Sequence, residues 1–199
     1  MIATRRCLLG GIAAAVTCPE IVLGQSLEWA AAFIRRSGEE LSSIMLKGGT
    51  TEARRRRLQP FIDRVVDVDI VARFCLGRHW KQATALEQQD YLRLFHAVLT
   101  NAVLVRLGDY EHNEVHVDVE RPEMRDGSIH VATMVERTGA APARVTWVVS
   151  PNADNPRIID LIAEGVSLRI TVRSDYDAFL ARHGNSIDAL IDALRQQVA

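Results

Sequence analysis

Apolar residues recur at two different periods in this chain, and the change comes at Glu114. Before it, Leu58, Phe61, Ile62 and Val65 stand at the i, i+3, i+4, i+7 spacing of one helical face. After it, Val115, Val117 and Val119 alternate with His116, Asp118 and Glu120, which is the period of a half-buried strand. Helices followed by a sheet, rather than alternating with it, point to an α+β fold. With 199 residues, 48% of them hydrophobic and 25% charged, the chain can bury one core and needs no second domain.

Within the helical half, Ser26 is placed to cap a helix carrying Leu27, Ala30, Ala31 and Ile34, which continues through Leu41, Ile44 and Met45 beyond Gly38. Pro60 is expected to shorten or kink the next helix, because it has no N–H to donate. A short helix over Val68 to Leu76 stops at Gly77. Thr84 to Glu87, "TALE", is a capping box that opens a long helix through Leu92, Phe95, Leu99 and Val103 to Gly108.

In the second half, Ile129, Val131, Thr133 and Val135 follow an Asp126-Gly127 turn, and Arg144 to Ser150 forms another strand. The stretch "IIDLIAEGVSLRITVRSDY", Ile158 to Tyr176, reads as one long strand. Its apolar parity changes at Gly165, where a bulge or bend is expected. Short connections favour an antiparallel meander. A helix from Ser174, with Asp177 as capping partner, and another carrying Ile187, Leu190, Ile191 and Leu194 close the chain. The expected architecture is a curved antiparallel four-stranded sheet packed against a helical layer, with an apolar cavity between them.

Residues 1–24 read as an export signal: Arg5 and Arg6 precede an apolar run too short to span a bilayer, and the paired arginines suggest the twin-arginine route. Residues 25–199 are then one domain, which retains Cys75 alone of the three cysteines and so has no intramolecular disulfide. A formal net charge of −1 argues against a nucleic-acid partner.

The residues supply no set with the spacing of catalytic or metal chemistry. His112 and His116 would lie roughly 13 Å apart on a strand, too far to share one ion. His79, His96, His130 and His183 have no carboxylate or cysteine at ligand spacing. Cys75 sits in an apolar helical segment as a small core residue, Ser167 lacks the Gly-x-Ser-x-Gly elbow, and Asp67 and Asp69 fit a helix start. Arg54 to Arg57 reads as a solvated helix face, with contact to acidic partner surface or anionic headgroups as the alternative. Arg169 and Arg173 are candidates for similar contact at a pocket mouth. No catalytic residue, metal ligand or cofactor is assigned.

Three fragments taken in order, "FCLGRHW" (Phe74 to Trp80), "YLRLF" (Tyr91 to Phe95) and above all Asp160 followed by "EGVSL" (Glu164 to Leu168) and then Arg173-Ser174, resemble the MlaC or toluene-tolerance auxiliary family of periplasmic lipid-binding proteins. The closing "HGNSIDALIDAL" is similar to that family's last helix. Val103 and Pro156 depart from the family pattern, standing where aromatic residues are expected. The resemblance implies a monomeric periplasmic shuttle that carries a phospholipid between an outer-membrane lipoprotein complex and an inner-membrane ABC transporter. Its acyl chains would be enclosed between sheet and helices.

On that reading the lining is drawn from Phe74, Trp80, Phe95, Leu99, Val103, Val131, Trp147, Ile159, Val166 and Leu168, while Glu164, Gly165 and Ser167 are structural. A hopanoid- or sterol-associated carrier of the same family is the nearest alternative. A docking subunit that packs its core fully and binds no lipid is the alternative of another class.

Overall fold

A computed structural model describes residues 27–108, 115–137 and 141–198. The export signal, Ser26 and His112 lie outside the described residues. Helix α1 (Glu28–Leu46) runs unbroken through Gly38, followed by α2 (Thr51–Val65), α3 (Val68–Leu76), a 3₁₀ turn (Gly77–Lys81) and the long α4 (Ala85–Gly108). The sheet strands are β1 (Val115–Val119), β2 (Glu123–Arg125), β3 (Ser128–Arg137), β4 (Ala143–Val149), β5 (Ile158–Ala163) and β6 (Val166–Ser167). Helices α5 (Leu168–Arg182) and α6 (Ile187–Val198) follow. All the ladders are antiparallel, in the order β1-β3-β4-β5-β6, and β2 shares the edge of β3 with β1.

The α+β class and the helical layer are as the sequence implies, and the sheet has six strands rather than four. One addition is β2, three exposed residues that pair with β3 across the two-residue Asp126-Gly127 loop, where both φ angles are positive. Too short to show a period, β2 is betrayed in the sequence only by its turn.

The larger correction concerns Ile158 to Tyr176, which is not one long strand. Glu164 (φ 50°) and Gly165 (φ 80°) make a tight two-residue reversal between β5 and β6, and helix α5 begins at Leu168 rather than Ser174. Ser167 caps that helix by accepting from the Ile170 N–H. Inside the helix the inward set is Val172, Tyr176, Phe179 and Leu180, a helical period, while the alternating Val166, Leu168 and Ile170 are exposed. The irregularity in the ladder sits earlier, at Ile159. Asp160 pairs with Val148 and Ile158 with Val149, leaving Ile159 as the extra residue.

Pro60 also fails to interrupt α2, which continues to Val65. Pro60 is exposed, and the buried Leu58, Phe61, Ile62 and Val65 hold the helix against the layer. The expected capping box at Thr84 closes in both directions, with the Glu87 N–H donating to Thr84 Oγ1 at 3.3 Å and the Thr84 N–H to Glu87 Oε2 at 2.6 Å.

Helices α2, α3 and α4 are tied by His96, whose Nδ1 lies 2.9 Å from Asp63 Oδ1 and whose Nε2 lies 3.0 Å from Asp69 Oδ1. Two carboxylates need two N–H donors, which only the imidazolium supplies. Burial opposes that charge, but the hydrogen bonds to Asp69 and Asp63 outweigh it and raise the His96 pKa above its ordinary value. Arg73 lies 3.8 Å from Asp69, and Arg157 donates to the Asp63 carbonyl.

A raised folded-state pKa contributes stability that is complete below the unfolded value, near 6.5, and is lost as pH rises through the folded value. Thermal midpoints should therefore fall on the alkaline side of that window more in the wild type than in His96→Gln. A midpoint difference between the two that stays constant with pH would exclude the tie.

Candidate functional site

The face of the sheet that meets the helices can be followed through the register. Val131 pairs with Trp147 and Trp147 with Leu161; Thr133 pairs with Val145 and Val145 with Ala163; Val119 and Val117 pair with Thr133 and Val135. Directly opposed antiparallel residues point to the same side, so these form one apolar face. Burial grades along it. Ile129, Val131 and Val149 are sealed at one end, Trp147, Val145 and Val135 are half-buried, and Val117 at the other end is 47% exposed. On α4, Phe95 is buried, and Leu99 and Val103, one and two turns further on, are half-buried.

Polar atoms in this band are satisfied from within. Thr133 donates through Oγ1 to the Val145 carbonyl at 3.0 Å and accepts from Trp147 Nε1 at 3.1 Å. With its N–H engaged, the indole presents only hydrocarbon to whatever lies against the face. Such a band can shelter an apolar ligand without stranding a donor.

Of the residues expected to line a pocket, Val131 and Trp147 are paired on this face and Phe95 is 6% exposed in the core. Leu99 and Val103 form the half-buried stretch of α4, Ile159 is the bulged residue, and Val166 ends the face by pairing with Ala163. Leu168 lies in the first turn of α5, 45% exposed. Phe74 lies on α3 and Trp80 in the 3₁₀ turn that follows it. The Arg169 and Arg173 guanidiniums cover Phe74 at 4.5 and 5.1 Å, while Trp80 meets Arg73 at 5.1 Å and joins Tyr91, Phe95 and Tyr176 in an aromatic cluster. Val119, Val145 and Leu161, which share the face with Trp147, were not singled out from the sequence. Their signal was the strand alternation combined with the hairpin registers.

Beside the face, Asp160 holds the β5–β6–α5 junction. Its Oδ1 accepts from the Leu161 N–H at 2.8 Å and the Arg169 N–H at 3.1 Å; its Oδ2 accepts from Ser167 Oγ at 2.5 Å and lies 3.2 Å from Arg169 Nε. Glu164 Oε1 in turn accepts from the Arg144 N–H at 3.1 Å. The "EGVSL" element is thus a turn, a cap and a buried carboxylate's donor in five residues. Ser167 Oγ is engaged both with Asp160 and with the helix cap.

Burial, reinforced by Asp160, pushes the Cys75 thiol up to about 12, so it stays protonated at neutral pH. His79 is buried with Nε2 3.1 Å from Asp177 Oδ1, a partner 98 residues away that sequence spacing could not show. In the arginine run, Arg55 and Arg56 pair with Glu52, and Arg57 donates to the Ala53 and Gly48 carbonyls.

Gly77 ends α3 at φ 57°, ψ −128°, and a Cβ there would stand 3.1 Å from the Arg173 guanidinium. Gly77→Ala should therefore lower stability by about 1–3 kcal/mol in urea unfolding. A loss under about 0.5 kcal/mol would mean that the backbone relaxes freely there.

The fold is shared with a phospholipid-binding protein from Ralstonia solanacearum, solved in complex with a phospholipid. The two align with a TM-score of 0.74 at 19% identity, over 85% of this chain and 96% of the other. The family model described as MlaC protein matches residues 38–196, most of the described structure, and the chain belongs to the MlaC family.

Proposed function

We propose that this protein is a phospholipid-binding transport protein of the periplasm. It would hold acyl chains against the Trp147 face and carry lipid between an outer-membrane lipoprotein complex and an inner-membrane ABC transporter. The observation that carries the reading is the graded apolar band, sealed at Ile129, Val131 and Val149 and open toward Val117, with its one buried hydroxyl and its indole N–H already bonded to each other. Enclosing acyl CH₂ groups contributes about 0.8 kcal/mol each, enough for tight retention with no charged contact. Family membership and the phospholipid complex of the Ralstonia protein support the same cargo class.

Nothing in this role requires chemistry on the ligand, so the protein acts by binding and not by catalysis. The signal-like residues 1–24 support delivery to the periplasm, where a monomer would work alone between its two membrane partners. Mass spectrometry of an organic extract from protein purified without detergent tests the reading. Stoichiometric phospholipid is the expected result, and a hopanoid or sterol would change the cargo. Protein that stays empty, and takes up nothing from vesicles, would make the band ordinary core and overturn the carrier.

A further inference from the structure

The chain places three aliphatic side chains in water within five consecutive residues: Val166 is 55% exposed, Leu168 45% and Ile170 55%. These are not scattered surface residues of the ordinary kind. Val166 pairs with Ala163, which pairs with Val145, so Val166 continues the apolar band past the last strand at its open end, and Leu168 and Ile170 follow in the first turn of α5. On α3, the helix packed against α5, Ile70 is 50% exposed one turn before Phe74.

Charge accompanies the hydrocarbon. Arg169 and Arg173 both lie over Phe74, and Arg169 is neutralised by Asp160. Arg173, packed against Phe74 and Gly77, has no carboxylate within ion-pair distance among the described residues. The polar backbone nearby is already used. The Arg169 and Ile170 N–H groups bond to Asp160 and Ser167, and β6 is only two residues long. A peptide partner would find little backbone to pair with here. What remains is exposed hydrocarbon beside an unneutralised guanidinium, which matches the acyl and phosphate layers of an anionic bilayer.

We propose that the β6–α5 edge seats the protein on an anionic membrane, with Val166, Leu168 and Ile170 entering the interface and Arg173 meeting a lipid phosphate. This extends the carrier reading by turning the open end of the Trp147 face toward the bilayer from which lipid would enter or leave. It predicts contact with lipid itself, independent of any protein at either membrane.

The test is flotation of the full mature protein with phosphatidylglycerol-containing vesicles and with pure phosphatidylcholine vesicles. Ile170→Glu is the informative variant. Position 170 is third in the helix after the Ser167 cap, so glutamate there completes a Ser-x-x-Glu capping box and preserves the fold while placing an anion in the interface. The wild type should float with the anionic vesicles, Ile170→Glu should lose at least about tenfold of that partitioning, and Arg173→Gln about fivefold. Thermal midpoints and extracted lipid should stay at wild-type values in Ile170→Glu.

Equal flotation of wild type and Ile170→Glu, or of wild type on both vesicle types, would overturn the proposal. Lipid-loaded protein that floats with neither would leave the carrier reading intact and give this edge to a protein partner. Protein that floats but never contains lipid would sustain the docking edge and remove the carrier.

Discussion

Asp160→Ala should be the most destabilising single change at the β5–β6–α5 junction, at about 2–4 kcal/mol and a thermal midpoint lower by on the order of 10 °C. The carboxylate is 6% exposed and receives the Leu161 N–H, the Arg169 N–H and the Ser167 hydroxyl, with Arg169 Nε alongside. Alanine strands all of these donors at once. A buried donor left without its acceptor costs about 1–3 kcal/mol, more than the bond contributed when made. The Arg169 side chain keeps 25% of its exposure, so water recovers part of its charge and the loss stays below that of a fully buried pair.

Asp160→Asn retains one oxygen for the two backbone donors and should cost less. Ser167→Ala removes both the helix cap and one donor to Asp160, and its effect should not add to that of Asp160→Ala, since the two residues share a bond. Additive losses in denaturant melts, or an alanine variant within about 0.5 kcal/mol of wild type, would refute the junction as described.

Val103→Trp should separate a lipid-filled band from a filled core with the largest functional effect. Val103 is half-buried on α4, two turns after the buried Phe95. If acyl chains occupy the space before it, indole takes their place: bound lipid should fall about tenfold while the thermal midpoint of the empty protein holds or rises, because the new ring fills volume otherwise emptied by delipidation. If protein atoms already fill that space, the larger side chain overpacks it and costs about 1–3 kcal/mol. Lipid by mass spectrometry and the melting midpoint, measured on one preparation, decide between the two.

The sequence disclosed elements whose periodicity and punctuation agree, and concealed those where the two conflict. Helix α6 was legible because Ile187, Leu190, Ile191 and Leu194 recur at helical spacing, and all four are buried. Helix α3 was bracketed by Asp67, which caps it, and Gly77, which ends it. Around Ser167 the alternation of Val166, Leu168 and Ile170 imitated a strand. What decides that segment is a carboxylate seven residues earlier, whose bonds to Ser167 and Arg169 start a helix there.

The candidate site divided in the same way. Val131 and Trp147 were legible because strand parity places them, and the hairpin turns fix the register that pairs them. Residue type alone nominates Phe74 and Trp80. Only the fold brings the Arg169 and Arg173 guanidiniums over Phe74 and that of Arg73 over Trp80. His96 lacked visible partners because Asp63 and Asp69 reach it from other helices, 33 and 27 residues away in sequence.

Cys75 sets a deadline on maturation. Its sulfur rests 3.6 Å from the Arg169 carbonyl, 94 residues along the chain, so the thiol is enclosed only once α5 has docked on α3. Before that closure residues 25–199 present one unprotected sulfur, with no second cysteine among them to resolve a mixed disulfide. After closure, burial holds the sulfur as an unreactive thiol. The time to docking is therefore one that added oxidised glutathione can report during refolding: molecules it captures are those whose α5 had not yet arrived.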